Sequence, residues 1–306
     1  MYDLIIIGGG PAGVAAGVYA SRKKIKTLLI TKNFNGQSSG SEEIQNWIGE
    51  ISISGIGLAK KLKDHLHAYK EESTETKEGE NVISIEKRDG NFLTKTEKGE
   101  YLSKAILIAT GSARKKLDIP GAKEFENKGI TYCASCDGPM FTDKDVAVIG
   151  GGNSAFEAAS QLLAYAKSVT LLHRNENLKA DKITIEKISA NPKMKIILNA
   201  VPTEVSGDHF VKSITYKDAI TEEIKTLPVE GIFVEIGSEP ITSFASNLIK
   251  LNEYGHIPVN PKNQQTEIPG IWAAGDCTDG LYQQNNIAAG DAVKSLEDIY
   301  IFLKTK

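Results

Sequence analysis

The beginning of the chain most limits what it can fold into. Leu4 to Ile7 is an apolar run that enters Gly8-x-Gly10-x-x-Gly13, and an Ala- and Val-rich segment follows. Strand, glycine turn and helix in direct succession open a βαβ unit. Each glycine has its own physical reason. Gly8 permits the tight turn, Gly10 lets backbone approach a pyrophosphate, and Gly13 lets helix pack on strand, with the helix N-terminus facing the phosphate charge. A bare G-x-G-x-x-G is as compatible with a simple tight turn; its strand and helix context points to a dinucleotide. The second strand, Thr27 to Ile30, ends in Thr31 and Lys32. An acid usually stands there to hold a ribose, so the adenosine contact is the least defined part of this site.

The pattern returns with strand Val146 to Ile149, turn Gly150-x-Gly152-x-x-Ala155 enclosing Asn153 and Ser154, a helix through Leu163 and strand Ser168 to Leu172. The separation is too long for a solenoid period. A decayed duplicate kept for packing is the alternative, but the complete context favours a second dinucleotide site, and two such sites imply a flavin and a nicotinamide exchanging electrons. Between the two turns, Leu58, Leu62 and Leu66 predict an amphipathic helix, Asn81 to Tyr101 an antiparallel meander, and Ala105 to Ile108 a strand ending in Ala109-Thr110-Gly111. Beyond the second unit we expect a meander over Lys195 to Val234, a linker over Ile236 to Pro240, a strand over Gly270 to Ala274 before Gly275-Asp276, and a helix from Asn286 to Leu303. This tail has no sheet of its own and is expected to return to the first domain. The expected fold is α/β, with two Rossmann-like dinucleotide-binding domains of three-layer ββα type, the second inserted in the first.

Ile130-Thr131-Tyr132 reads as a short strand leading into Cys133-Ala134-Ser135-Cys136-Asp137-Gly138. Two thiols three apart can close a small disulfide, and a following helical turn favours the thiolate. Asp137 can protonate a departing thiolate or can simply form a turn before Gly138-Pro139. Cys277, alone, reads as a small buried hydrophobe. The five histidines complete no zinc spacing with the cysteines, so no metal is expected. With 41% apolar and 25% charged residues and a net charge of -3, nothing suggests nucleic acid or an anionic membrane as partner. No basic leader precedes Leu4 and no apolar run approaches the ~20 residues of a membrane span, so a cytoplasmic location is expected.

The motifs together resemble the low-molecular-weight thioredoxin reductase family over essentially the whole chain: GGGPAG at 8 to 13, NGQ at 35 to 37, QNWIG at 45 to 49, ATG at 109 to 111, CASCDG at 133 to 138, GGGNSA at 150 to 155 and AGDC at 274 to 277. The second half is similar to the reductase core of the alkyl hydroperoxide reductase flavoprotein, in LKAD at 178 to 181, EGIFVEIG at 230 to 237 and the GDC variant. That relative carries an extra thioredoxin-like N-terminal module, which this chain is expected to lack.

The resemblance implies FAD in a discontinuous domain, residues 1-114 and 243-306, and nicotinamide in the insert, 115-242. It implies that Gly8, Gly10, Pro11, Ala12 and Gly13 cradle the FAD pyrophosphate, with Thr110 and Gly111 beside them. By the same carry-over Gln37 and Asn46 line the isoalloxazine, Asp276 holds the ribityl chain and Gln284 faces the flavin pyrimidine edge. Two departures, Gln283 for a basic residue and Asn285 for an alanine, alter charge and hydrogen bonding at that edge. Gly150, Gly152, Asn153, Ser154, Ala155 and Gly237 fall to the nicotinamide nucleotide.

The implied chemistry is hydride transfer from nicotinamide to FAD, electron transfer to the Cys133–Cys136 disulfide, and exchange with a thioredoxin or a glutaredoxin-like protein. Cys136 meets the flavin and Cys133 attacks the partner. The family also implies a homodimer and a domain swing on linkers near Ala113 to Lys116 and Glu239 to Ser243. For the donor, the family's NADPH pattern H-R-R-x-x-x-R is matched by His173 and Arg174, lost at Asn175, and replaced at Lys179 by a charge without the bidentate fork. A weakened preference for NADPH is expected, with NADH possible. Rival readings are a ferredoxin-fed or oxygen-reducing flavoprotein of the same fold, and a redox-sensing flavoprotein that is not an enzyme.

Overall fold

A computed structural model describes residues 1–41, 43–69 and 73–305. The chain forms two compact units: Met1–Glu42, Asn46–Ala113 and Glu239–Lys306 in one, Glu43–Gln45 and Arg114–Ser238 in the other.

The first unit is built on strands β1 (Tyr2–Ile7), β2 (Thr27–Thr31), β3 (Thr74–Glu78), β4 (Val82–Arg88), β5 (Asn91–Thr96) and β6 (Glu100–Ile108), in spatial order β3-β2-β1-β6-β5-β4. β1, β2, β3 and β6 run parallel, whereas β4, β5 and β6 form the expected antiparallel meander. The last strand, β17 (Ile271–Ala273), adds in parallel to β6, so the tail does return to the first sheet. All five residues of β2 are buried, as a strand covered on both faces requires. Helices α1 (Pro11–Arg22), α2 (Gly55–His67) and α6 (Asn285–Thr305) are rooted on the face carrying Leu4, Ile6, Leu29, Leu107 and Trp272. The opposite face, with Ile5, Ile7, Ile30 and Ile106, is covered by Ile85 and Phe92 of the meander and by Ile249. Each buried Leu or Ile side chain contributes about 1.5–3 kcal/mol.

The second unit repeats this plan. Strands β8 (Ile130–Thr131), β9 (Asp145–Ile149), β10 (Ser168–Leu172), β11 (Met194–Ile197) and β15 (Gly231–Val234) form a parallel sheet in the order β11-β10-β9-β15-β8. One face packs on α3 (Ala134–Asp137), α4 (Asn153–Leu162) and α5 (Lys182–Ser189) through Val148, Phe156, Leu162 and Phe233. The other lies under a three-stranded antiparallel sheet, β12 (Ala200–Gly207), β13 (Val211–Asp218) and β14 (Ile224–Pro228), through Val205, Ile214 and Ile232.

Two expectations are corrected here. The meander is confined to β12–β14. β11 and β15, at the two ends of Lys195 to Val234, join the parallel sheet because a wholly buried run such as Gly231–Val234 suits a two-faced environment. The segment expected as a linker contains β16 (Ser238–Pro240), which pairs with β7 (Ser112–Arg114). Among the described residues, no helix is long and apolar enough to cross a membrane.

Candidate active site: two glycine turns and a disulfide turn

In the first unit β1 ends in the turn that starts α1. Gly8 has φ +121°, and a Cβ there would stand 2.1 Å from the Ala109 carbonyl oxygen. A Cβ on Gly13 would stand 2.0 Å from the Gly8 oxygen, so the helix lies directly on the turn. At Gly10 and Gly111 a Cβ would meet nothing within 4 Å. Backbone is bare at just the places where a pyrophosphate must come close. These residues, with Pro11, Ala12, Thr110 and Asp276, line a cleft of about 530 Å³. Pro11 occupies the first helical turn, where its missing N–H costs nothing.

Gln37 also lines this cleft, and its amide donates to the Ser112 carbonyl at 2.5 Å, to Ser112 Oγ at 3.0 Å and to Asp276 Oδ2 at 3.4 Å. Asn46 Nδ2 donates to Gln284 Oε1 at 3.3 Å, and Asn286 Nδ2 donates to the Asn46 carbonyl at 2.7 Å. Asn46, Gln283 and Gln284 stand outside the cleft wall, and Gln283 is exposed. Asn285 is in the wall and accepts from Ser38 Oγ at 2.8 Å. Thr31 is buried and spends its hydroxyl on the Asn33 carbonyl at 2.6 Å. Lys32, Glu80 and Asn81 line the cleft beyond it. The sequence singled out none of Ser38, Glu80 and Asn81, because they belong to no spaced motif.

In the second unit Gly150 has φ +152°, and a Cβ there would stand 2.3 Å from the Glu235 carbonyl oxygen and 2.9 Å from the Ala155 methyl. Gly152 is open, as Gly10 is, and so is Gly237 at φ +102°. Asn153 and Ser154 are exposed at the start of α4, and Asn153 Oδ1 accepts the Asp181 amide at 2.9 Å. His173 is buried against Gly151, its Nε2 3.1 Å from the Asn177 carbonyl. Arg174 and Lys179 are exposed at the end of β10, with Glu176 between them in sequence, and the Lys179 amide donates to the Gly151 carbonyl at 2.7 Å.

The thiols follow β8 at the same edge of this sheet. Cys133 and Cys136 form a disulfide with Cα atoms 5.3 Å apart. Cys133 is the N-cap of α3: the Cys136 amide points at its Sγ over 3.2 Å and the Asp137 amide donates to its carbonyl at 3.0 Å. The Cys136 amide favours a thiolate at Cys133 once the bond opens. Thr131, a residue the sequence did not suggest, donates its hydroxyl to Asp137 Oδ2 and accepts the Cys133 amide at 3.4 Å, tying the acid to the thiol turn. Cys277 is fully buried in the first unit, donating to the Ile108 and Ala274 carbonyls, and burial pushes its thiol up to about 11.

Comparison with known proteins meets this geometry. The chain matches the family "Pyridine nucleotide-disulphide oxidoreductase" over residues 2–292. It is 40% identical to the F component of alkyl hydroperoxide reductase from Staphylococcus epidermidis over 290 residues, 94% of this chain and 56% of that protein. It is 38% identical to a protein named NADH dehydrogenase from Bacillus subtilis, over 99% of this chain and 58% of the other. The chain thus spans little more than half the length of these curated relatives. The solved structure of thioredoxin reductase from Streptococcus pyogenes covers all of it, with TM-score 0.92, 33% identity and 99% of that chain aligned.

Proposed function

Since the chain belongs to the pyridine nucleotide-disulphide oxidoreductases, we propose that it is a flavin-dependent reductase of protein disulfides, with Cys133 and Cys136 as the exchanging pair and a thioredoxin-like protein as substrate. The observation that carries this reading is one edge of one sheet. The second glycine turn and the disulfide turn both sit at the C-terminal ends of the second unit's parallel strands, where open α/β sheets bind ligands.

In this reading the first unit holds FAD, for which the bare backbone at Gly10 and Gly111 and the cleft around Asp276 are suited. The second holds the nicotinamide nucleotide at Gly150, Gly152 and Ala155. FAD, when bound, supplies the relay between a nicotinamide hydride and a disulfide. The protein's own part begins with the reduced pair. The Cys133 thiolate attacks one sulfur of the partner disulfide and the other partner sulfur leaves as a thiolate, which takes a proton from Asp137, held by Thr131. The Cys136 thiolate then attacks Cys133 Sγ, expels the second partner thiolate and restores the disulfide. Two electrons leave the dithiol and two enter the partner.

NADPH as donor rests on Arg174 and Lys179, two exposed cations at the strand end that meets the adenosine ribose. NADH is the second reading, favoured by relatives named NADH dehydrogenase. The test of the main reading is a trap. Cys136→Ser leaves Cys133 to form a mixed disulfide with an oxidised thioredoxin after reduction; recovery of that adduct supports the assignment, and its formation through Cys136 instead, in Cys133→Ser, overturns it.

A further inference from the structure

Four of the five strands of the second unit's sheet end side by side around the glycine turn, and three of them lead to residues of the candidate site. In the spatial order β10-β9-β15-β8, the first leads to His173-Arg174, the second to the glycine turn and the fourth to the disulfide turn. The third, β15, is apolar and wholly buried from Gly231 to Val234 and then delivers a carboxylic acid, Glu235. The Glu235 amide donates to the Ile149 carbonyl at 2.8 Å, and its own carbonyl oxygen fills the place a Cβ on Gly150 would need. The residue is therefore locked against the turn, between the phosphate cradle and the sulfurs.

The Glu235 carboxyl is half-buried. Burial pushes it up to about 7, with Arg114 of β7 pulling it down and Glu157 of α4 adding to the rise. These are the charged groups that act on it; the neighbouring ends of β9 and β8 offer the uncharged Ile149 and Thr131. An ionised carboxyl is costly there until hydrogen-bond donors reach it.

The direction in which a dinucleotide crosses such a sheet is set by the fold. The end of the second strand meets the adenosine ribose and the glycine turn meets the pyrophosphate. With β10 on one side of β9 and β15 on the other, the nicotinamide half falls on the β15 side. We propose that Glu235 is a specificity-determining contact for the nucleotide, its carboxylate accepting hydrogen bonds from the hydroxyls of the nicotinamide-side ribose. This rests on the second unit being the nicotinamide site. It follows that the ionised form binds, so affinity for the whole dinucleotide rises as pH increases through about 7 and binding below that pH releases a proton.

The experiment is calorimetric titration of the FAD-loaded protein with NADP⁺ and, separately, with 2′,5′-ADP, which keeps the adenosine ribose and its phosphate but lacks the second ribose. At about pH 8, Glu235→Ala is expected to weaken NADP⁺ roughly 10- to 100-fold and Glu235→Gln several-fold, as loss of a charge-assisted hydrogen bond implies. Both variants should bind 2′,5′-ADP within about twofold of the parent. The ratio of variant to parent affinity for NADP⁺ should approach unity as pH is lowered toward about 6. Unchanged NADP⁺ affinity in both variants overturns the proposal, as does an equal loss for both ligands, which would place Glu235 in the shape of the turn. If the parent binds neither ligand, the reading of the second unit fails first and takes this inference with it.

Discussion

The two glycine turns share a design and differ at their third position. In the first unit a methyl at Gly13 would lie 2.0 Å from the Gly8 oxygen, whereas in the second Ala155 occupies the equivalent place with its methyl fully buried. The rims differ as well. The first turn forms the wall of a cleft of about 530 Å³, and the hydroxyl at its second strand end is turned inward on Asn33. The second strand end of the other unit exposes Arg174 and Lys179 to solvent. A turn walled into a cleft suits a group that stays; a turn flanked by solvent-exposed cations suits a ligand that arrives and departs. The Cys133–Cys136 disulfide belongs to the second unit.

Breaking the chemistry of that second unit should have the largest effect. Cys133→Ser or Cys136→Ser should lower disulfide reduction by a factor of about 10³ or more while flavin remains bound and reducible by nucleotide, since a full turnover needs both the attacking and the resolving sulfur. Cys277→Ser, in the other unit, should change turnover little. Rates with an oxidised thioredoxin measure all three, and retained turnover in Cys133→Ser would sink the assigned roles.

Next in size is the contrast at the third glycine. Gly13→Ala should destabilise the protein by about 1–3 kcal/mol and loosen the flavin, because the added methyl must displace backbone. Ala155→Gly should cost only about 0.5–1 kcal/mol, the ordinary penalty of glycine in a helix. Thermal melting and flavin release on dilution give the comparison; equal losses at the two sites would remove the distinction between them.

A similar magnitude attaches to Glu235, now read through folding. Its carboxyl ionises near 4.5 when unfolded and at about 7 when folded, so the native state holds the extra proton between those values. Stability therefore falls as pH rises from about 4.5 to 7, by about 3 kcal/mol at most, and the loss persists above 7. Glu235→Gln removes that component, so the variant should gain stability over the parent with rising pH in that window. A constant difference from pH 5 to 8 would show that the group is not perturbed. The smallest effect is expected at the rim: Arg174→Ala should reduce the efficiency ratio of NADPH to NADH by roughly tenfold or less, as befits an exposed cation. A parent enzyme that is far more efficient with NADH would overturn the NADPH assignment.

Much of this was legible in the sequence because the glycine turns, the thiol pair and the Leu58, Leu62, Leu66 stripe are short-range patterns with fixed spacing. What stayed hidden depends on partners distant in sequence. β3 is Thr-Glu-Thr-Lys-Glu, with no apolar alternation, and exists because β2 offers it a free edge. β15 sits next to a meander in sequence yet pairs with β9, a choice made by burial on both faces. Helix α5 does carry a local signal, Asp181 as N-cap, which accepts the Thr184 amide at 3.2 Å. Thr131 belongs to no motif, and Glu235 lies inside EGIFVEIG with no role that spacing alone assigns; each gains meaning only when the sheet aligns its strand end with the thiols or the glycine turn.

The most direct test of an electron path from nicotinamide through FAD to Cys133–Cys136 is an anaerobic titration of the FAD-loaded protein with NADPH and with NADH, followed by flavin absorbance. The account predicts bleaching that consumes two hydride equivalents per chain in the parent, one for flavin and one for the disulfide, and a single equivalent in the Cys133→Ser/Cys136→Ser double variant. Flavin that neither nucleotide bleaches, or the same consumption with and without the thiols, would contradict it.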